Sequence, residues 1–361
     1  MFKSAIGIVV LLAALTAPHA MAQPTSLDDV LTRVVAEDHL PGAVAVVLDD
    51  GVVTRHSAGT SDIATGAGFV PDTHVRMGSL SKMFVAAAVL QLVGEGRIDL
   101  DQSIETYLPG RVRGDGIDAS AITVRQLLRH QSGLPEYFNR GTPLPTEPVT
   151  GEQLLDMALT HPAQFAPGTA MVYTNTNYIV AGLIIEAVTG APAGDEVIRR
   201  TAVPLGLADT YFPAPGDTWL PVPFAHGYET DGGHLTDVTE FNATAAGMSG
   251  ALVSTGEDVT AFLTALLNGQ VVPPLLLDQM MVTVPQTDNA ASFRYGLGLG
   301  QIDLPCGVTV WGHGGDVFGY HSLAVKPLDG PALSVTVTGD ADSESPLDEP
   351  VMRVAEAFYC H

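Results

Sequence analysis

Apolar and polar positions change rhythm along this 361-residue chain, and the changes predict its elements. From Ala5 to Leu15 the apolar run is unbroken, with one basic residue, Lys3, before it and Ala20-Met21-Ala22 after it. Small residues at the first and third of those positions suit signal peptidase, so residues 1–22 read as a signal peptide. The run is too short to span hydrocarbon as a membrane anchor, and no later stretch reaches spanning length. No cysteine follows it directly, which disfavours a lipid anchor. The mature chain is expected to be secreted or periplasmic.

Beyond the leader, Ser26 to Glu37 carries helical spacing. Gly42 to Leu48 is a β-rich apolar run that turns at Asp49-Asp50-Gly51 and returns through Val52 to Ser57, a hairpin signal. The far end repeats the theme with Val308 to Trp311, His321 to Val325 and Leu333 to Thr338, then a closing helix from Met352 to Tyr359. Between them the pattern is helical at Ser81–Val93, Val124–His130, Gly151–Leu159, Asn177–Thr189 and Glu257–Leu267. Pro-rich stretches at 143–148 and 213–223 read as loops. Strands at both ends with helices between predict an α+β fold. It is a mainly antiparallel sheet built from both chain ends, flanked by helices, with a mostly helical lobe inserted. One catalytic domain is expected over 23–361, its α/β lobe at about 23–75 and 290–361 and its helical lobe at about 76–289.

Composition narrows the function. Forty acidic residues against sixteen basic ones give a net charge of −24, which repels phosphate backbones and anionic membranes, so nucleic acid is a poor partner. Only Lys3, Lys82 and Lys326 are lysines, and Lys82 sits inside the most apolar helical run. Cys306 and Cys360 are the only cysteines. In an oxidising compartment they read as one disulfide, with two buried free thiols as the alternative.

Three short motifs carry chemistry. Ser79-Leu80-Ser81-Lys82 opens a helix that is apolar almost all round, hence buried. Residues three apart share a face, so hydroxyl and amine would meet at the helix start, and desolvation would lower the lysine pKa until it can deprotonate serine. A serine cap beside a surface lysine is the plainer reading. Tyr173-Thr174-Asn175 offers a phenol, made acidic by nearby cations, as general acid and base, and an amide to orient a carbonyl. A buried structural tyrosine is the commoner case. Gly312-His313-Gly314-Gly315 follows an apolar strand, where glycines permit a ligand to approach the backbone and imidazole can tune a phenol. No histidines show metal-ligand spacing, so no metal is expected, and no cofactor.

In this order and spacing the three motifs resemble those of the penicillin-recognising serine hydrolases, nearest the D-alanyl-D-alanine carboxypeptidases of the class C β-lactamase-like branch. The resemblance extends through the run from Ile122 to Leu134, through Tyr173 to Tyr178 and through Tyr295 to Leu299. It implies Ser79 as the acylated nucleophile, Lys82 and Tyr173 as proton carriers, and His313 as support for Tyr173. Asn175 would bond the substrate amide, with Gly314, Gly315 and Asp316 lining the substrate strand. The amides of Ser79 and Asp316 would form the oxyanion hole. Secreted relatives carry a disulfide that matches Cys306–Cys360. Substrates would be small peptides, amides or esters, with β-lactams as inhibitors or slow substrates.

One departure stands out. Relatives hold a substrate's terminal carboxylate with an arginine and threonines, where this chain aligns Gly300, Gly314 and Asp316. The expected activity is a D-Ala-D-Ala-type peptidase. Asp316 favours esterase, D-aminopeptidase or D-amino-acid amidase, or endopeptidase action instead, with a weak β-lactamase as a further alternative, unless Arg140 or Arg294 swings in. Two rivals remain: a nucleophile elbow at Gly247-Met248-Ser249-Gly250-Ala251 with Asp303 and His313, and a binding module that keeps the pocket without the reaction.

Overall fold

The structure is a computed structural model that describes residues 26–138, 144–231, 234–287, 293–339 and 349–360. The leader, Pro143 and Arg140 lie outside the described residues. Eight strands form the main sheet: β1 (Gly42–Asp49), β2 (Val52–Gly59), β3 (Val284–Pro285), β4 (Phe293–Tyr295), β5 (Gly300–Asp303), β6 (Thr309–Val317), β7 (Tyr320–Lys326) and β8 (Ala332–Thr338). Their spatial order is β2-β1-β8-β7-β6-β5-β4-β3, antiparallel throughout, so the first hairpin closes onto the last strand. This is the α+β sheet from both chain ends that the sequence predicts.

Both faces of the sheet are covered. Helices α1 (Leu27–Glu37) and α5 (Pro350–Tyr359) lie on one face, where Leu31, Val34, Val351 and Val354 meet Ala45, Leu323 and Val335. Ser26 starts α1 with a capping box to Asp29. Helix α4 (Gly256–Leu267) covers the other face so closely that a Cβ at Gly256 would lie 2.6 Å from Val46. Burial on both sides explains why β8 is buried at every position instead of alternating.

Two helices without a polar face form the heart of the rest: α2 (Ser81–Gly94), buried from Ser81 to Leu90, and α3 (Thr176–Thr189), buried from Thr176 to Ile185. Phe84 of α2 stacks on Phe262 of α4 at 3.6 Å between ring centroids, joining this core to the sheet. The sequence pattern misses the helices Ala193–Thr201 and Pro274–Met280. It also ends β6 too early, because the strand runs on through the whole Gly-His-Gly-Gly motif to Val317. Cys306 and Cys360 form the disulfide, tying the end of α5 to the turn before β6. Among the described residues no helix is long and apolar enough to cross a membrane.

Candidate active site

Ser79 lies in a one-turn 3₁₀ segment, Gly78–Leu80, that runs directly into α2. Gly78 is required there twice over. Its φ is +51°, and a Cβ would stand 2.8 Å from both the backbone N and O of Asp316 on β6. Gly315 answers from the strand side, where a Cβ would meet the Met77 carbonyl at 2.1 Å. These glycines serve close approach of the protein to itself, whereas the sequence reading assigned that freedom to a ligand. Only Gly314 has room, its Cβ position lying 3.8 Å from the nearest atom, the Ser322 carbonyl oxygen.

Lys82 is one turn on and completely buried. Its Nζ lies 2.8 Å from three atoms: Ser79 Oγ, Asn175 Oδ1 and the Ser249 carbonyl oxygen. The last two can only accept, so they take both hydrogens of a neutral amine and leave its lone pair facing the serine hydroxyl. Burial pushes the amine pKa down to about 7, against the opposing pull of the Glu136 and Asp316 carboxylates. Asn175, at the start of α3, is thus also a partner of Lys82 through its Oδ1, a role beyond the substrate bond that the resemblance implies.

Tyr173 precedes α3 in a segment without helix or strand. Its ring centroid lies 4.8 Å from Lys82 Nζ, and its buried hydroxyl has no hydrogen-bond partner. The sequence reading expected cations to lower this phenol's pKa, but burial raises it well above the ordinary value. Ser79 stands near enough to oppose that rise, though outside hydrogen-bond geometry. The phenol keeps its proton at neutral pH.

His313 is buried on β6 near Tyr173, which the resemblance has it support, without a hydrogen bond between them. The two ring centroids are 6.2 Å apart. Its Nδ1 donates to the Gly314 carbonyl, which leaves Nε2 to accept from the Tyr295 hydroxyl at 2.8 Å. Burial and the nearby Lys82 push its pKa down to about 4, so the imidazole is neutral in the working range.

Sequence reasoning did not single out Glu136, whose Oε2 accepts from Asn175 N at 2.7 Å and Oε1 from Phe138 N at 3.1 Å. No motif spacing marks it. Tyr295 and His130 lay inside quoted motifs without a role. Asp316 sits on the exposed side of β6, its Oδ1 2.7 Å from His321 Nδ1. Gly300 pairs with Gly312, and a Cβ there would lie 2.8 Å from Phe293, so that position has no room for an arginine. Arg294 is engaged with Thr283. The rival elbow fails: Ser249 lies in a short helix, its hydroxyl donates to the Ala246 carbonyl at 2.7 Å, and His313 is engaged elsewhere. Among the described residues no cluster of three His, Cys, Asp or Glu side chains could hold a metal.

The structure resembles that of the D-stereospecific amidohydrolase from Streptomyces sp., at 36% identity and a TM-score of 0.84 over 94% of this chain and 99% of the other. It also resembles the D-amino acid amidase from Ochrobactrum anthropi SV3, solved with L-phenylalanine amide, at 29% identity and a TM-score of 0.82 over 92% and 97% of the two chains. Penicillin-binding protein 4 of Amycolatopsis lactamdurans is 28% identical over 316 residues, 84% of this chain and 82% of its own length. The Beta-lactamase family profile matches residues 27–357. Because that span takes in the sheet from both ends and everything between, the chain belongs to the β-lactamase family and is an enzyme of the penicillin-recognising serine hydrolases.

Proposed function

We propose that this enzyme is an exported D-amino-acid amidohydrolase, which forms an acyl-enzyme on Ser79 and releases amines or alcohols from neutral amides and esters. In acylation, neutral Lys82 takes the Ser79 proton as Oγ bonds the carbonyl carbon. The amides of Ser79 and Asp316 hold the oxyanion. Tyr173, protonated and unpartnered, gives its proton to the leaving nitrogen and regains one from the Lys82 ammonium 4.8 Å from its ring centroid. Water then cleaves the ester by the reverse relay, returning the serine proton.

The observation that carries the specificity is the sign of the charges around this centre. Among the described residues, the charges that act on Lys82, Glu136 and Asp316, are both carboxylates. They favour a substrate with a free ammonium on its acyl side and oppose a leaving group that ends in a carboxylate. The D-stereospecific amidohydrolase and D-amino acid amidase likenesses support the same class. The carboxypeptidase reading requires a cation that the described pocket does not supply. The disulfide supports an oxidising, exported setting.

The test compares kcat/KM for a D-alanine amide with a free amine, its N-acetyl derivative, a D-Ala-D-Ala peptide and that peptide's C-terminal amide. The free-amine amide should lead. Preference for the free-acid peptide would return the enzyme to the carboxypeptidases.

A further inference from the structure

The Tyr173 segment poses a mechanical problem. A group that must pass protons at a fixed distance sits between Met171 and Thr174 in chain that belongs to no helix or strand, so no ladder of backbone bonds holds it. One residue, His130, meets it from three directions. The His130 carbonyl accepts from Val172 N at 3.1 Å, on one side of Tyr173. Its Nδ1 accepts from Thr174 N at 3.2 Å, on the other. Its ring stacks on the Tyr173 ring, 4.2 Å between centroids and 29° from parallel.

The imidazole is itself tightly specified. Ser132 Oγ donates to Asn177 Oδ1 at 2.5 Å, which turns the Asn177 amide nitrogen toward His130 Nδ1 at 3.1 Å. Two donors on Nδ1 fix the proton on Nε2. Burial beside Lys82 and His313 keeps the ring neutral, holding its pKa well below the ordinary value. The backbone reaches this place through a left-handed turn, φ +57°, at the end of the Val124–Leu128 helix. A histidine is an uncommon occupant of that region, and such conformations persist only where the surroundings enforce them.

From this geometry we infer that His130 is a positioning residue for Tyr173, clamping its backbone on both sides and its ring on one face so that the phenol keeps its place between Lys82 and the leaving group. His130 touches no substrate and moves no proton. The inference rests on the reading of Tyr173 as proton donor.

The experiment is a double-mutant cycle on the full mature protein, using a p-nitrophenyl ester and an amide substrate. The variants are His130→Phe, which keeps the stack and loses the acceptor, and His130→Asn, which restores an acceptor and tolerates a positive φ. Each is made with Tyr173 and with Tyr173→Phe. An acylating probe titrates the sites at completion, so folded fraction and rate are read separately. His130→Phe should label nearly all sites yet acylate roughly 10- to 100-fold more slowly per site. His130→Asn should recover part of that loss. In the Tyr173→Phe background neither substitution should cost more, because there is no phenol left to place. Equal losses in both backgrounds, or no loss per titrated site, would overturn the positioning role. Wild-type rates in Tyr173→Phe alone would instead overturn the role of the phenol, and the clamp with it.

Discussion

The two halves of the site are built in opposite ways. Ser79 and Lys82 are three residues apart on one buried turn, so the helix itself sets their distance and α2 locks it into the core. Tyr173 with Asn175, Glu136 and His313 come from three separate segments and meet by packing, with His313 on a strand and Tyr173 on irregular chain. Local geometry is cheap to specify and hard to disturb. Assembled geometry depends on every supporting contact, from Gly78 against Asp316 to His130 around Tyr173. The nucleophile half should therefore fail by loss of chemistry, and the assembled half by loss of placement or stability.

The largest effect tests the first half. Ser79→Ala removes the atom that bonds the acyl group, so acylation should fall by about 10⁴-fold or more with the melting temperature little changed. Intact-mass spectrometry checks it: an acyl adduct of wild-type yield in the mutant would put the nucleophile elsewhere.

Next comes the lysine, whose pKa sharpens the comparison. With Lys82 at about 7, the base form gains population as pH rises through 7, and kcat/KM should climb until the amine is neutral. Below that point the ammonium cannot accept the serine proton, and the rate should drop about tenfold per pH unit. Lys82→Arg, which holds its proton at every accessible pH, should flatten the profile at a very low rate. A profile from pH 5 to 9 that shows no limb near 7 would move the base role away from Lys82.

These first two tests concern the part of the site most legible in the sequence, and the reason is physical. A helix translates sequence spacing into spatial distance, so Ser-x-x-Lys could be read with its geometry. The hairpin from Gly42 to Ser57 and the strands at Val308–Trp311, His321–Val325 and Leu333–Thr338 are legible for the same reason, since alternation and turn residues are local signals, although the first of these strands runs on to Val317. Glu136 was invisible because nothing local tells an acid that faces a buried lysine from one that faces water. The phenol's pKa shift has the opposite sign to the expected one, because burial, which a sequence does not show, raises it and the charges that act on it are the Asp316 and Glu136 carboxylates. His313 was found, but its partner Tyr295 needed the β5–β6 register to bring β4 alongside. Of the glycines of the last motif, Gly312 and Gly315 answer internal crowding, which a sequence does not show, and only Gly314 has the open space that the ligand-approach reading expects.

The disulfide probes the assembled half. Cys306–Cys360 closes a loop of 54 residues behind the strand that carries His313. Its loss should lower stability by about 2–5 kcal/mol, mainly by releasing the unfolded chain. Cys306→Ala/Cys360→Ala should thus melt earlier while the activity per folded molecule stays near wild type well below the transition. Chemical denaturation together with active-site titration separates the two quantities. Unchanged stability would mean that packing of α5 on the sheet holds this corner unaided.

The smallest effect concerns selectivity, and its size follows from exposure. The Asp316 side chain is 55% exposed and paired with His321, so solvent and the pair both weaken its repulsion of a substrate carboxylate. Asp316→Asn removes the charge and nearly preserves the shape. It should shift the ratio of kcat/KM for amide over free-acid peptide toward the acid by about 3- to 10-fold, a shift that shrinks as salt is added. Asp316→Thr should move the same way. Gly314→Thr should add to either, since its Cβ has open space and its hydroxyl would offer a donor to the terminal carboxylate. The effect stays small because Glu136, held by two backbone amides, still opposes the acid. Glu136→Gln in the Asp316→Asn background should extend the shift further. A ratio that does not change in Asp316→Asn at low salt would mean that the exposed carboxylate takes no part in choosing the substrate, leaving the preference to Glu136 alone.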